Sequence, residues 1–118
     1  MTLDRQTAER RGRDAEAQAA QYLALQGWEI LAERRKTRLG EIDLIARKPG
    51  IVAFVEVKWR ARSADLATAI DEHRLGRVAA AVEMVAHEYV EAKDDLRIDV
   101  ILLAPGRRPH HIENAWMP

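Results

Sequence analysis

Apolar residues fall into runs whose spacing changes along the chain. Ala15, Ala19, Tyr22 and Leu23 recur at helical intervals in a proline-free stretch, and Gly27 stops the run, so a helix is expected over Arg10–Gln26. Trp28–Glu33 reads as a short strand, and residues 34–40 as a basic connector. Two runs rich in β-branched residues follow, Glu41–Arg47 (Ile42, Leu44, Ile45) and Ile51–Lys58 (Ile51, Val52, Phe54, Val55, Val57). Between them Lys48-Pro49-Gly50 is a turn, proline fixing φ and glycine supplying a positive φ. So short a connection forces an antiparallel hairpin. Ala61–Leu66 is a polar crossover. A long helix is expected over Asp65–Ala92, with Leu75, Val78, Val82, Val85 and Tyr89 on one stripe. Gly76 weakens it by about 1 kcal/mol relative to alanine. Ile98, Val100, Ile101, Leu102 and Leu103 make Arg97–Ala104 an apolar strand of central type, Pro105-Gly106 ends it, and His110–Ala115 adds an edge strand. The order is α-β-β-β-α-β plus that edge strand, an α/β arrangement.

Composition narrows the setting. A chain of 118 residues with 47% apolar and 32% charged residues suits one globular domain spanning residues 1–118. No apolar run approaches bilayer length. Residues 1–13 are charged and lack the apolar stretch of a secretory signal, so no membrane partner and a cytoplasmic setting are expected. Without cysteine there is neither disulfide nor thiolate chemistry.

The net charge is zero, which on its own argues against nucleic acid. Its distribution argues otherwise. Residues 34–62 hold nine basic side chains (Arg34, Arg35, Lys36, Arg38, Arg47, Lys48, Lys58, Arg60, Arg62) against three acidic ones, +6 there and −6 elsewhere. Such asymmetry fits either a phosphate-facing surface or a well-solvated hairpin rim, with about even odds on charge alone.

The hairpin carries the chemistry. Side chains alternate along a strand, so Glu56 and Lys58 share a face, as do Glu41 and Asp43. With the turn centred on Pro49-Gly50, paired positions sum to 99, which sets Asp43 opposite Glu56 and Glu41 opposite Lys58, with Cβ atoms about 5 Å apart. Carboxylates at that distance repel and are driven to take up a proton. A divalent cation resolves the conflict, and Mg²⁺ or Mn²⁺ suits a site of one or two carboxylates plus substrate phosphate. Lys58 would then orient the attacking water and stabilise the charge developing on phosphorus. For an arbitrary hairpin, cross-strand salt bridges are the commoner outcome. Here the opposite faces are apolar too, so the hairpin is expected to be partly covered on both sides, which lowers that alternative. Glu16, at the edge of the first helix's apolar face, is either a solvated flank, the commoner case, or a carboxylate leaning into this patch. Other chemistries fare worse. Ser63 is the only serine and has no nucleophile-elbow pattern. No glycine-rich phosphate loop is present. His73, His87, His110 and His111 lack zinc-ligand spacing and are expected to be solvated or capping groups.

Gly40-Glu41-Ile42-Asp43-Leu44-Ile45 followed by Phe54-Val55-Glu56-Val57-Lys58 resembles the core of the PD-(D/E)XK nucleases. More narrowly it is similar to the YraN-type family of small, largely uncharacterised bacterial proteins. The likeness also takes in Gly12–Glu16, Tyr22-Leu23, Gly27-Trp28 and Arg97-Ile98-Asp99-Val100. The resemblance implies a restriction-endonuclease-like αβββαβ core, a mixed central sheet flanked by helices. It implies Asp43, Glu56 and Lys58 as the catalytic set, Glu16 as an accessory helix carboxylate, and the Val57 carbonyl as a further metal ligand. Archaeal Holliday-junction resolvases look similar in the same elements, which suggests DNA, branched DNA included, as substrate; RNA stays open. Three positions depart from the family pattern: Arg34 where asparagine is usual, His73 or Arg74 where a lysine opens the long helix, and Trp59 where a small hydroxyl residue follows the catalytic lysine.

The reading that follows is a Mg²⁺- or Mn²⁺-dependent endonuclease. Asp43 and Glu56 bind the metal, Lys58 positions water, and Glu16 and Glu41 support them. Arg34, Arg35, Lys36, Arg38, Arg60 and Arg62 track the nucleic-acid backbone. The oligomeric state stays open, although a core this small often needs a partner to grip a duplex, as a homodimer would supply. The alternative is a catalytically silent nucleic-acid-binding or interaction domain that keeps the fold.

Overall fold

In the computed structural model, which describes residues 2–116, α1 (Thr2–Leu25) leads into β1 (Glu29–Thr37), β2 (Gly40–Lys48) and β3 (Ile51–Trp59). A 3₁₀ turn at Ser63–Thr68 and then α2 (Glu72–Val85) cross over to β4 (Asp95–Leu103) and the short β5 (His110–Ile112). The five strands form one sheet in the order β1-β2-β3-β4-β5. Neighbours are antiparallel except β3 and β4, which run parallel across the α2 crossover. This is the mixed sheet with flanking helices of a restriction-endonuclease-like core.

Both faces of the sheet are covered, as continuous apolar strands require. On one face Ala15, Ala19 and Leu23 of α1 pack with Trp28, Leu44, Ala46, Ala53, Val55, Ile101 and Leu103. On the other, Leu75, Val78, Ala81, Val82 and Val85 of α2 pack on Ile42, Ile45, Val52, Phe54, Val100 and Leu102. No helix among the described residues is long and apolar enough to cross a membrane.

Several expected boundaries move. α1 begins at Thr2 rather than at Arg10. β1 runs on to Thr37, so the basic connector is itself strand, carried by the ladder it forms with β2. The long helix expected over Asp65–Ala92 is broken in two places. Asp71 is an N-cap whose carboxylate accepts a hydrogen bond from the His73 N–H at 2.9 Å, and an acceptor so placed starts a new helix. At the other end the chain tightens into a 3₁₀ turn, Ala86–Glu88, before Tyr89 sets its ring edge-on to Phe54.

The hairpin register has the expected sum, Leu44↔Val55 through Lys48↔Ile51, but the ladder stops at Leu44. Ile42 and Ile45 join the α2-side cluster while Leu44 joins the α1-side one, so the strict alternation of faces fails at Asp43. On the neighbouring strand Arg34 holds a left-handed φ of 50° between the pairs Glu33↔Leu44 and Arg35↔Ile42. A non-glycine residue in that region is strained, and strain of this kind gathers at functional positions. Two adjacent strands thus lose their regularity at the same level of the sheet.

Candidate active site

The gap in the β2–β3 ladder is filled by a side chain. Asp43 Oδ2 accepts a hydrogen bond from the Val57 N–H at 2.8 Å, in the place a strand carbonyl would take. That bond fixes the carboxylate and turns it toward its neighbours. Carboxylate oxygens of Glu16, Glu41 and Asp43 lie within 4.8 Å of one another, so α1 delivers Glu16 to the same patch as the two β2 acids. Glu56 and Lys58, two residues apart on β3, project together toward α2, and their Nζ–Oε1 distance is 3.0 Å. Both side chains are buried, 9% and 8% exposed, so this pair is not a surface salt bridge.

One expected pairing is corrected. Glu41 does not lie against Lys58. Because the ladder ends before reaching them, Glu41 turns to Glu16 and Asp43, and Lys58 turns along its own strand to Glu56.

Proton affinities record the crowding. Burial first, and then the Glu56 charge, pushes Asp43 up to about 8 against the opposing Val57 hydrogen bond. Glu16 is raised by burial and by the carboxylates of Glu41 and Glu33, although Arg34, 3.6 Å away, pulls it down. Hard oxygen donors crowded in this way could hold a divalent cation, whose charge would offset the repulsion among them.

The patch opens to solvent through adjoining hollows. The larger, about 350 Å³, is bordered by Asp43, Glu56, Lys58 and Trp59 on the sheet side and by Arg11, Gly12 and Glu16 on α1. A second, about 210 Å³, is bordered by Glu41, Asp43 and Glu56 and by Arg74 and Arg77 of α2. Of the six basic residues expected to track a backbone, Arg60 borders the larger hollow and Arg34 a third, beside Glu16 and Glu41. Arg35 instead reaches Glu88 at 2.6 Å, and Arg62 holds Asp65 at 3.1 Å. Lys36 and Arg38 border none of these three hollows.

Arg77 is not among the residues expected at the site, and Arg74 is expected there only as one of two stand-ins for a family lysine. Neither side chain has an ion pair or hydrogen bond among the described residues. Their spacing is a usable signal: Arg74 and Arg77 are one helical turn apart and flank the apolar stripe through Leu75 and Val78.

Away from the cleft, Asp99 is a second buried acid, fully enclosed on β4. Arg97 grips both its oxygens at 3.0 and 2.8 Å, His111 of β5 meets Oδ2 at 2.7 Å, and the Asn114 N–H donates to Oδ1 at 2.9 Å. Burial alone would raise Asp99, but these partners outweigh it and hold the carboxyl below its usual range. The expectation of a solvated histidine is therefore corrected for His111, whose side chain is 8% exposed. This network ties β5 and the following turn to the sheet.

Comparison with known proteins bears on the whole chain. The family described as "Uncharacterised protein family UPF0102" matches residues 15–103. A UPF0102 protein of Erythrobacter litoralis is 60% identical over 98% of this chain and 100% of its own length. Relatives of the same name from Sphingopyxis alaskensis and Rhizorhabdus wittichii are 53% and 54% identical, over 98% and 95% of this chain and 100% and 95% of their own.

Proposed function

The chain belongs to the uncharacterised family UPF0102, within the restriction-endonuclease-like superfamily, and from that premise we propose that it is a metal-dependent nuclease hydrolysing phosphodiester bonds in DNA. The observation that carries the reading is the convergence of Asp43, Glu56 and Lys58, with Glu16 and Glu41, on one open cleft whose far wall holds two arginines unpaired among the described residues.

Asp43 and Glu56, with the Val57 carbonyl, would hold Mg²⁺ or Mn²⁺, with Glu16 and Glu41 at its side. A cation there would polarise the phosphoryl oxygen and acidify the attacking water. The chain's own groups have separate tasks. Asp43, anchored by the Val57 N–H, presents its carboxylate to the cleft. Glu56 holds the Lys58 ammonium at a fixed height on β3, where it donates to the attacking water and to the phosphoryl oxygen as charge develops. Arg74 and Arg77 meet the phosphate from α2, and the charge of their guanidinium groups offsets the surplus of acids facing them. Arg34 and Arg60 support the flanking backbone.

A second reading has its own support. Lys58 is already matched by Glu56 within the protein, which equally suits a silent nucleic-acid-binding domain that retains the fold. Calorimetry and a cleavage panel separate the two. Wild type should bind Mn²⁺ and Asp43→Ala should not; equal heats for both would sink the metal site. Linear, nicked, flapped and four-way DNA substrates then test hydrolysis. Metal binding with no cleavage of any of them would select the silent domain.

A further inference from the structure

Trp59 is the last residue of β3 and borders the same hollow as Asp43, Glu56 and Lys58. Its ring is half-buried against the α1-side cluster, yet what covers it toward the cleft is a charge. The Arg11 guanidinium sits over the indole, 5.4 Å from the ring centroid, and Arg11 has no ion pair among the described residues. An exposed cation–π contact of this sort is a weak cover.

Gly12, next to Arg11, adds an independent oddity. It lies inside the 24-residue α1, where glycine weakens a helix relative to alanine. Its backbone needs no positive φ, and a methyl group placed there would meet nothing within 4 Å. Neither folding nor packing asks for glycine at this position. The space it leaves opens into the hollow that Trp59 borders. At about 350 Å³ that hollow has the size of a small-ligand pocket.

We propose that Trp59 is a stacking platform for an unpaired nucleobase, which displaces the Arg11 guanidinium and occupies the room left at Gly12 beside the phosphodiester site. The inference rests on the phosphodiester reading of the cleft and gives it a substrate class: single-stranded or branched nucleic acid, whose bases are free to leave the stack, rather than intact duplex. Stacking of a base on an indole is stronger than an exposed cation–π contact, so the exchange is favourable. Arg11, once released, becomes available to a phosphate of the same strand.

Binding of short labelled oligonucleotides, followed by anisotropy in Ca²⁺ so that no hydrolysis is required, tests this directly. Single-stranded DNA and single-stranded RNA run side by side to identify the sugar the cleft accepts, with a blunt DNA duplex as the third arm. Wild type should favour a single strand over the duplex. Trp59→Ala should weaken single-strand binding about tenfold and leave the weaker duplex binding unchanged. Trp59→Phe, which keeps a ring, should retain most of the affinity and guards against a folding defect. Gly12→Ala should raise the melting temperature while weakening single-strand binding, two effects of opposite sign. Equal affinities for wild type and Trp59→Ala, an equal loss on strand and duplex, or no binding of either single strand would each overturn the proposal. Trp59-dependent binding without cleavage in Mg²⁺ would remove the hydrolytic reading and leave the platform standing.

Discussion

Replacing Asp43 by asparagine should stabilise the metal-free protein, and increasingly so as pH rises. The folded carboxyl is pushed from 3.8 up to about 8, through burial first and the Glu56 charge second. The native state therefore binds this proton more tightly than the unfolded chain does. Stability contributed by the protonated form is complete below pH 4 and is lost as pH climbs through about 8. A rise of that size corresponds to an upper bound of roughly 5–6 kcal/mol. The cleft is open and water and salt screen it, so a loss of about 2 kcal/mol between pH 5 and pH 8.5 is the realistic expectation. For a chain of this size that is about 8 °C in melting temperature. An asparagine side chain carries no charge, and its amide oxygen can still accept from the Val57 N–H, so Asp43→Asn should show a much flatter profile. Glu16, raised for related reasons, shifts stability in the same direction and leaves the variant a small residual slope. The assay is thermal unfolding in chelator across that pH range for both proteins. Mn²⁺ should then stabilise wild type most at high pH and release close to one proton near pH 7, read from calorimetry in buffers of different ionisation enthalpy. Identical slopes for the two proteins, or a variant less stable than wild type at pH 8.5, would refute the reasoning.

Two further outcomes follow from the charged groups around the sheet. Asp99→Ala removes the bidentate partner of Arg97 and the carboxylate that meets His111, so urea unfolding should report a loss of about 3 kcal/mol or more; a change below about 1 kcal/mol would show that the network is not stabilising. Arg74→Ala removes an exposed guanidinium with no ion pair among the described residues, so the melting temperature should stay put while DNA affinity falls, and the salt dependence of binding should flatten by about one unit of slope; an unchanged slope would take Arg74 off the phosphate path.

The strands and their order are legible in the residues because each rests on local chemistry. Lys48-Pro49-Gly50 fixes the hairpin, and the hairpin fixes the register from Leu44 onward. The set Asp43, Glu56, Lys58 is legible for the same reason, since two acids and a lysine interrupt otherwise apolar strands. What escapes is whatever depends on a second element. Glu41-Ile42-Asp43-Leu44 looks regular, and only the left-handed Arg34 on the next strand and the Val57 N–H across the gap reveal the break there. Arg74 and Arg77 reach the cleft through α2 packing that no local pattern encodes. The Asp71 cap is a different case: an acid followed by Glu72 is a readable helix start, hidden here by an apolar stripe continued through it. His111 meets Asp99 through a ladder closed by residues twelve positions apart, so its burial could not be read from its own neighbours.

Asp43 stitches two strands together as well as lining the cleft, and this double employment has an evolutionary corollary. Selection for a sound sheet alone would retain an acid or amide at this position, even in a descendant that had abandoned catalysis. Lys58 and Glu56 are tied to each other instead, since each buried charge has the other as its ion-pair partner among the described residues and losing one alone would strand the other. In a lineage drifting away from activity the pair is therefore free to decay only together. Its joint replacement by apolar residues beside an intact Asp43 would mark an enzyme that has become a scaffold.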